Sequence, residues 1–501
     1  MLQRFLLILI LNFIVFSSRP LFAADIRDSV VKIYTTTNRI DYYHPWQTKG
    51  SQPAIGSGCV IGQNRILTNA HVVSDQTFIQ VKKHSSPKKY TAKILAIGND
   101  CDLAILQVDD KDFFEGVSPL EIGELPSVQD KVNVFGYPTG GDDISVTEGV
   151  ISRMEVTKYA HSYSRLLALQ IDAALNPGNS GGPVLKDGKL VGIAMQTAFN
   201  AENIGYIIPT TIIDHFLHDI EDGHFDGFPV LGIEFNQTDN PALREYYKIK
   251  DKQGGILLSK ILPGSPADGQ LKEGDVVTEI DHVPIAEDGT FAFSKMERLW
   301  VSYLISKKQM GESINLKLVR NGEEKSVSFP LFAFDTLVPS PYAAPKPSYF
   351  IYGGFVFTVL TADLLKEWWD YRSDDRMRIP PLDFVYYYYG LGRLNEENKK
   401  EIVVMLTVLP DDINIGYHNY SNLIIAKVNG KKFFSFKEFV QILSRKEVPY
   451  TIFETKENAR IILKNDDMDR IDQEILSRNN ISQRFSQDVA DWLGSQNTAK
   501  K

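Results

Sequence analysis

From Ile26 to about Thr210 the chain is a succession of short runs rich in strand-forming residues, cut by turns and showing almost no helical period. Val30-Val31-Lys32-Ile33-Tyr34 opens the series, followed by Cys59-Val60-Ile61, Arg65-Ile66-Leu67 and Phe78-Ile79-Gln80-Val81. Leu103 to Val108, Lys131 to Phe135 and Leu166 to Ile171 continue it. Val184-Leu185 and Leu190-Val191-Gly192-Ile193 flank Asp187-Gly188, a strong signal for a two-residue hairpin. Short strands at this spacing argue for β-barrels. A helix should close the unit: Pro209-Thr210-Thr211 offers a start, and Ile212, Ile213, Phe216 and Leu217 form an apolar stripe.

A chain of 501 residues exceeds a single core, so further units must follow. The first is expected over 25–222, with the Gly- and aromatic-rich stretch Gly223 to Pro229 as its boundary. A second spans 230–335, with turns at Pro263-Gly264-Ser265-Pro266 and Asn321-Gly322. Residues 336–348 read as a linker, since Pro339 to Pro347 holds four prolines in nine residues. A third unit covers 349–464. Residues 465–501 read as a charged helical segment whose end, Ser495 to Lys501, should be disordered.

The first 24 residues look like export machinery. Arg4 gives a positive start, Phe5 to Phe16 is apolar apart from Asn12, and small residues follow, with cleavage expected after Ala23 or Ala24. That run is shorter than the roughly 20 residues a membrane-spanning helix needs. The expected location is therefore periplasmic or secreted. A formal net charge of -9 without a basic stripe argues against nucleic acid as a partner. The two Gly-Lys pairs continue as Gly188-Lys189-Leu190 and Gly430-Lys431-Lys432, so neither ends a phosphate-binding loop, and ATP-driven work through that motif is unsupported. Cys59 and Cys101 read as two small buried hydrophobes, with a disulfide between them as the alternative.

The segment that speaks most directly to chemistry is Asn176-Pro177-Gly178-Asn179-Ser180-Gly181-Gly182-Pro183. A serine hydroxyl needs a base beside it to attack a carbonyl, and backbone N–H groups to hold the resulting oxyanion. Gly178 lets the chain turn so that its own N–H and that of Ser180 converge, with Asn179 between them. Gly181 and Gly182 keep side chains away from a substrate backbone. The base is expected at His71, within Leu67-Thr68-Asn69-Ala70-His71-Val72-Val73. Asp102, directly before the apolar run Leu103-Ala104-Ile105-Leu106, is the carboxylate that fixes its tautomer, with Asp100 as competitor. The chain order His, Asp, Ser is that of chymotrypsin-like enzymes.

Thr68-Asn69-Ala70-His71-Val72-Val73, Asp102 to Leu106, Asn176 to Pro183 and Gly205-Tyr206-Ile207-Ile208-Pro209-Thr210 resemble the motifs of the HtrA/Deg serine proteases. Val230 to Tyr247, Pro284 to Thr290 and Ser348 to Thr361 are most similar to the plant-type members and their bacterial relatives. The resemblance implies a mainly β protein, in which a chymotrypsin-like double β-barrel is followed by two α+β PDZ-like domains. It also implies ATP-independent cleavage of unfolded or damaged protein without a cofactor or metal, and assembly as a trimer or multiple of trimers. By the same resemblance, Ile193, Ala194 and Met195 line the substrate pocket, where no acid is available for a basic side chain. Leu231, Gly232 and Ile233 would form the first module's loop for a peptide carboxylate, and Gly353, Gly354 and Phe355 the second's. Peptide C-termini or hydrophobic segments are the expected ligands. An unusual insert with Glu367-Trp368-Trp369 and Tyr386 to Tyr389 makes an assembly role for the second module an equal alternative.

Two features stand apart. His215 and His218 share a helix face with Asp214 and Asp219, and read as a solvated face rather than a metal site. Tyr42-Tyr43-His44-Pro45-Trp46 reads as an oligomer contact, a gate or ordinary packing. The rival functions are a holdase chaperone and a regulatory protease with one partner.

Overall fold

Short strands, most of them largely buried, carry the chain as far as Pro209 into two closed barrels. The computed structural model describes residues 25–84, 86–197, 204–342, 346–369, 379–389, 399–444 and 448–498. The expected leader, residues 1–24, therefore lies outside the described residues. Strands β1 (Val30–Thr37), β2 (Gln52–Ile61), β3 (Arg65–Thr68), β4 (Gln76–Lys83), β5 (Lys89–Gly98) and β6 (Leu103–Val108) close in the order β1-β2-β3-β6-β5-β4. A second barrel runs β10-β11-β12-β9-β8-β7. It comprises β7 (Lys131–Gly136), β8 (Ser145–Lys158), β9 (Arg165–Ile171), β10 (Pro183–Lys186), β11 (Lys189–Thr197) and β12 (Gly205–Pro209). The hairpin expected at Asp187-Gly188 is present, with both residues at positive φ, 51° and 80°.

The expected helix follows as Thr210–Asp219, burying Ile212, Ile213 and Phe216. His215 departs from expectation: it is buried and stacked on Phe228 at 3.9 Å, whereas Asp214 and His218 are exposed, His218 beside Glu221. Burial pushes the His215 pKa down. Cys59 and Cys101 are both free and fully buried in the core, which settles the alternative against a disulfide.

The first module is a sheet ordered Ile233–Gln237, Ile256–Ile261, Val276–Ile280, Ser313–Arg320, Glu323–Pro330. Its core is continuous with that of the second barrel, through Phe216, Phe228, Leu231, Phe291 and Tyr303. Asp275, directly before the Val276–Ile280 strand, is buried and accepts two bonds from Arg320, each 2.6 Å. Arg320→Ala is expected to cost about 3 kcal/mol, because it strands a buried carboxylate. Urea unfolding of the full chain checks this.

The second module's sheet runs Tyr349–Tyr352, Phe355–Val359, Val403–Val408, Leu423–Val428, Tyr450–Thr455, Arg460–Lys464. One face packs on Phe436, Phe439 and Val489, the other on Leu364, Trp368, Phe384 and Ile475. The aromatic insert thus supplies core: Trp368, Phe384 and Tyr387 are buried, while Leu382 and Tyr389 stay exposed. The C-terminal segment is also part of this module. Its helices Met468–Arg478 and Gln487–Thr498 carry the chain past Ser495, where disorder was expected. Between them, Ile351 N–H donates to Arg484 O at 2.9 Å, and Ser486 N–H to Tyr349 O at 3.1 Å. The module's first strand is thereby sealed along its outer edge. Among the described residues no helix is long and apolar enough to cross a membrane.

Candidate functional site

Between the two barrels lies a cleft of about 650 Å³ into which His71, Asp102 and Ser180 all open. His71 sits on the one-turn helix Ala70–Val73, just after β3. Asp102 directly precedes β6 and pairs with it through both backbone and ring. His71 N–H donates to Asp102 Oδ1 at 2.8 Å, and His71 Nδ1 lies 2.7 Å from Oδ2. An ionised carboxylate only accepts, so Nδ1 carries the proton and Nε2 keeps its lone pair. Asp102 holds φ +54°, a left-handed conformation that aspartate tolerates better than most residues. Asn69 Nδ2 fixes its carbonyl at 2.9 Å. Asp100, the competitor, lies outside this cleft and close to Phe228 and Asp219.

Burial opposes charge on both partners, and their mutual attraction overcomes it. The His71 pKa is therefore held above its ordinary value and that of Asp102 below. Asp102 is 1% exposed, so the pair acts across low dielectric on one side.

Ser180 follows a turn with no room for side chains. Gly178 has φ +100°, and a Cβ there would lie 2.3 Å from Tyr137 O. At Gly181 a Cβ would meet Ser57 O at 2.1 Å, and at Gly182 Phe135 O at the same distance. The two glycines after Ser180 are thus required by the protein's own backbone, a stricter reason than clearance for a substrate. Ser57, on β2, is the residue sequence reasoning missed here. Its Oγ donates to Gly178 O at 2.7 Å and accepts from Tyr137 N–H at 2.8 Å, while its N–H donates to Ser180 O at 2.8 Å.

Pro177 O accepts from Thr139 N–H at 2.7 Å. In a trans peptide the next N–H points the opposite way, so the Gly178 N–H is directed away from Thr139. Neither the Gly178 nor the Ser180 N–H has a partner among the described residues. The Asn179 N–H is different: it closes the turn onto Asn176 O at 3.0 Å and is already used. The Ser180 hydroxyl donates to Met195 O at 3.2 Å. Of the expected pocket residues, Ala194 and Met195 line the cleft, whereas Ile193 is buried in the barrel core.

The second module supplies the cleft's outer wall, which no sequence signal indicated. Tyr342, Lys366 and His161 line it together with Arg39. The Tyr42-to-Trp46 segment is the docking seat: Tyr43 meets Trp368 at 5.2 Å, Trp46 meets Tyr349 at 6.1 Å, and Lys49 pairs with Glu367 at 2.6 Å. Within one chain, this segment is packing between modules. The loop Tyr137 to Asp143 is anchored by Lys32, whose Nζ reaches Gly141 O at 2.7 Å and Asp142 Oδ1 at 2.8 Å. All but Ile204 of the stretch Phe199 to Ile204 lies outside the described residues.

The two candidate peptide loops differ. In the first module Gly232 has φ +71°, and its carbonyl accepts from Leu262 N–H at 2.8 Å. Among the described residues the following strand, Ile233–Gln237, pairs on one side only and leaves its other edge open. In the second, Gly353 and Gly354 form a closed two-residue turn between Tyr349–Tyr352 and Phe355–Val359, and Phe355 is fully buried. Gly353 N–H donates to Asp472 Oδ1 at 2.7 Å, and Gly354 N–H reaches the same carboxylate. An internal carboxylate already occupies the amides expected to be open. Burial pushes Asp472 up to about 6 against the pull of Arg484.

A family model for the trypsin-like peptidase domain matches residues 56–193, and two models for the PDZ domain match 229–331 and 338–488. Protease Do-like 2, chloroplastic, of Arabidopsis thaliana is 40% identical over 447 residues, covering 88% of this chain and 72% of its own length. Protease Do-like 4, mitochondrial, of the same plant is 40% identical over 417 residues, covering 83% and 76%. The serine protease DegP homolog of Plasmodium falciparum is 31% identical over 536 residues, covering 86% of this chain and 60% of its own. A solved variant of the HtrA-type protease AlgW with decapeptide shares the fold at TM-score 0.50 and 24% identity, covering 64% of this chain and 97% of its own.

Proposed function

Because this chain belongs to the HtrA/Deg family of serine proteases, we propose that it is an ATP-independent endopeptidase for unfolded or damaged protein outside the cytoplasm. The observation that carries the reading is the doubly bonded His71–Asp102 pair opening into the same cleft as Ser180. Ser180 Oγ turns from the Met195 carbonyl and attacks the scissile carbonyl carbon, and its proton passes to His71 Nε2. The Gly178 and Ser180 N–H groups receive the oxyanion. Collapse expels the amine, which takes the proton from His71. Water then attacks the acyl carbon as its proton passes to His71, and collapse releases the acid while Ser180 Oγ takes that proton back. Asp102 stabilises the imidazolium formed in each half. Ala194 and Met195 favour a small or medium apolar residue before the cut bond.

The open edge of Ile233–Gln237, with the loop Leu231-Gly232-Ile233, takes a peptide C-terminus as an added strand. The sealed second module acts as structure in this reading, and the chain assembles as a trimer or multiple of trimers. The test is digestion of an unfolded casein by the purified chain with and without ATP. Equal cleavage in both is expected, with a folded substrate resistant. A requirement for ATP, or cleavage of folded and unfolded protein at one rate, would reject the proposal. Gly178→Ala is expected to lower kcat by about 10² to 10³, since its Cβ would collide with Tyr137 O and turn one oxyanion donor away. Steady-state kinetics on a short peptide check it.

A further inference from the structure

His161 is a titratable group in the cleft that the chemistry above leaves unused. It lies in the turn between β8 and β9, and its Nε2 is 2.9 Å from Asn99 Oδ1. The Asn99 backbone carbonyl accepts from Asp102 N–H at 3.2 Å. One asparagine therefore ties the His161 ring to the turn that carries Asp102. The ring centroid lies 6.3 Å from that of His71. One face of the His161 ring stacks on Tyr342, at 4.3 Å and 23° between planes.

Tyr342 belongs to neither barrel. It lies in the proline-rich segment after the first module and holds φ +60°, a region aromatic side chains rarely occupy. Its N–H donates to Asp363 Oδ2 at 2.8 Å, on the second module's helix Ala362–Trp369. The same helix sends Lys366 Nζ to His161 O at 2.8 Å, with the ammonium 4.5 Å from the Tyr342 ring centre. Two links thus grip one residue, one on its ring and one on its carbonyl.

Asp102, His71, Arg39 and Lys366 face His161, Asp102 and Arg39 face His71, and Asp75 and Asp363 lie at the rim near Tyr342. Burial outweighs the pull of Asp102 and pushes His161 down to about 3. The ring is neutral wherever His71 titrates, so it fills space beside the pair without adding charge.

We propose that His161 is a positioning residue for the His71–Asp102 pair, and that Tyr342 and Lys366 transmit the docking of the second module to that pair through it. The proposal rests on the assignment of Ser180 and His71 given above. A misplacement of about 1 Å in such a pair can cost about 10²-fold in rate.

The test uses the full chain, peptide kinetics, and phosphonylation of Ser180 by a fluorophosphonate, which reports activation of the nucleophile without peptide binding. His161→Ala and Tyr342→Ala should each lower kcat and the labelling rate about 10- to 100-fold, with KM within about twofold. Tyr342→Phe keeps the stack and should restore both rates. Thermal melting identifies a variant that fails to fold, and the Tyr342 pair decides the matter if His161→Ala does. Labelling at the parent rate in folded His161→Ala, or a rise in KM with kcat unchanged, overturns the proposal. So does Tyr342→Phe being as slow as Tyr342→Ala. Absence of label on Ser180 in the parent chain instead rejects the nucleophile assignment, and the proposal falls with it.

Discussion

Ser180→Ala is expected to lower kcat by about 10⁶, leaving only the residual catalysis of the intact oxyanion donors and substrate binding. The change removes one oxygen from a half-buried side chain whose hydrogen bond is a 3.2 Å contact with Met195 O. Ser57, Thr139 and the three glycines shape the turn through backbone contacts that alanine leaves in place. Melting temperature should therefore stay near that of the parent while cleavage disappears. The measurement is release of peptide fragments, followed long enough to resolve a thousandth of the parent rate. Retention of more than about a hundredth of that rate would place the nucleophile elsewhere, because loss of a catalytic serine leaves far less.

Asp102→Asn should cost about 10⁴ in kcat at neutral pH with little change in KM. Asparagine can fill the same volume, but it cannot stabilise the imidazolium and no longer enforces a proton on Nδ1. The pH dependence follows from the directions of the two shifts. Only neutral His71 accepts the Ser180 proton, so parent activity should rise as pH climbs through a His71 pKa held above 6.5. Without the carboxylate, burial acts unopposed and moves that limb to lower pH. The pair's contribution to stability has the matching sign. For His71 it is fully present below 6.5 and is lost as pH rises through the raised folded value. For Asp102 it is present above 3.8 and is lost as pH falls through the depressed one. A pH series of kcat/KM on both proteins, with melting at each pH, checks both statements.

The barrels were legible where strands alternate cleanly or form short continuous apolar runs. Lys131–Gly136 buries every second residue, Leu103–Val108 buries a continuous apolar run, and the Asp187-Gly188 turn carries its own backbone signature. β8 was not legible, since fourteen residues from Ser145 to Lys158 expose polar and apolar side chains without a period. The three residues at the cleft were visible because each sits in a segment whose types match a chemical need. Ser57 was invisible, since a buried serine that ties its strand to Tyr137 and to the Gly178–Ser180 turn looks in sequence like any serine in a strand. Tyr342 and Lys366 were hidden for another reason. Their role depends on how a later module seats on an earlier one, a relation carried by Tyr43, Trp46 and Lys49 some three hundred residues away. The second module's loop was misread because glycine pairs suit an open anion cradle and a closed hairpin equally. Only Asp472, far along the chain, distinguishes them.

The seam between Tyr349–Tyr352 and Arg484 to Ser486 also has a consequence for timing. A chain emerges from its site of synthesis with the N-terminus first. The barrels have all their strands once Pro209 is out, and the first module once Pro330 is. The second module cannot close its outer edge, or bury Val489, until the segment from Arg484 to Val489 has appeared. Because that module holds Lys366 and Tyr342 against the cleft, the outer wall is set last. A nascent chain that lacks that segment would carry both barrels with that wall missing, so topology alone orders the assembly of the cleft behind its emergence.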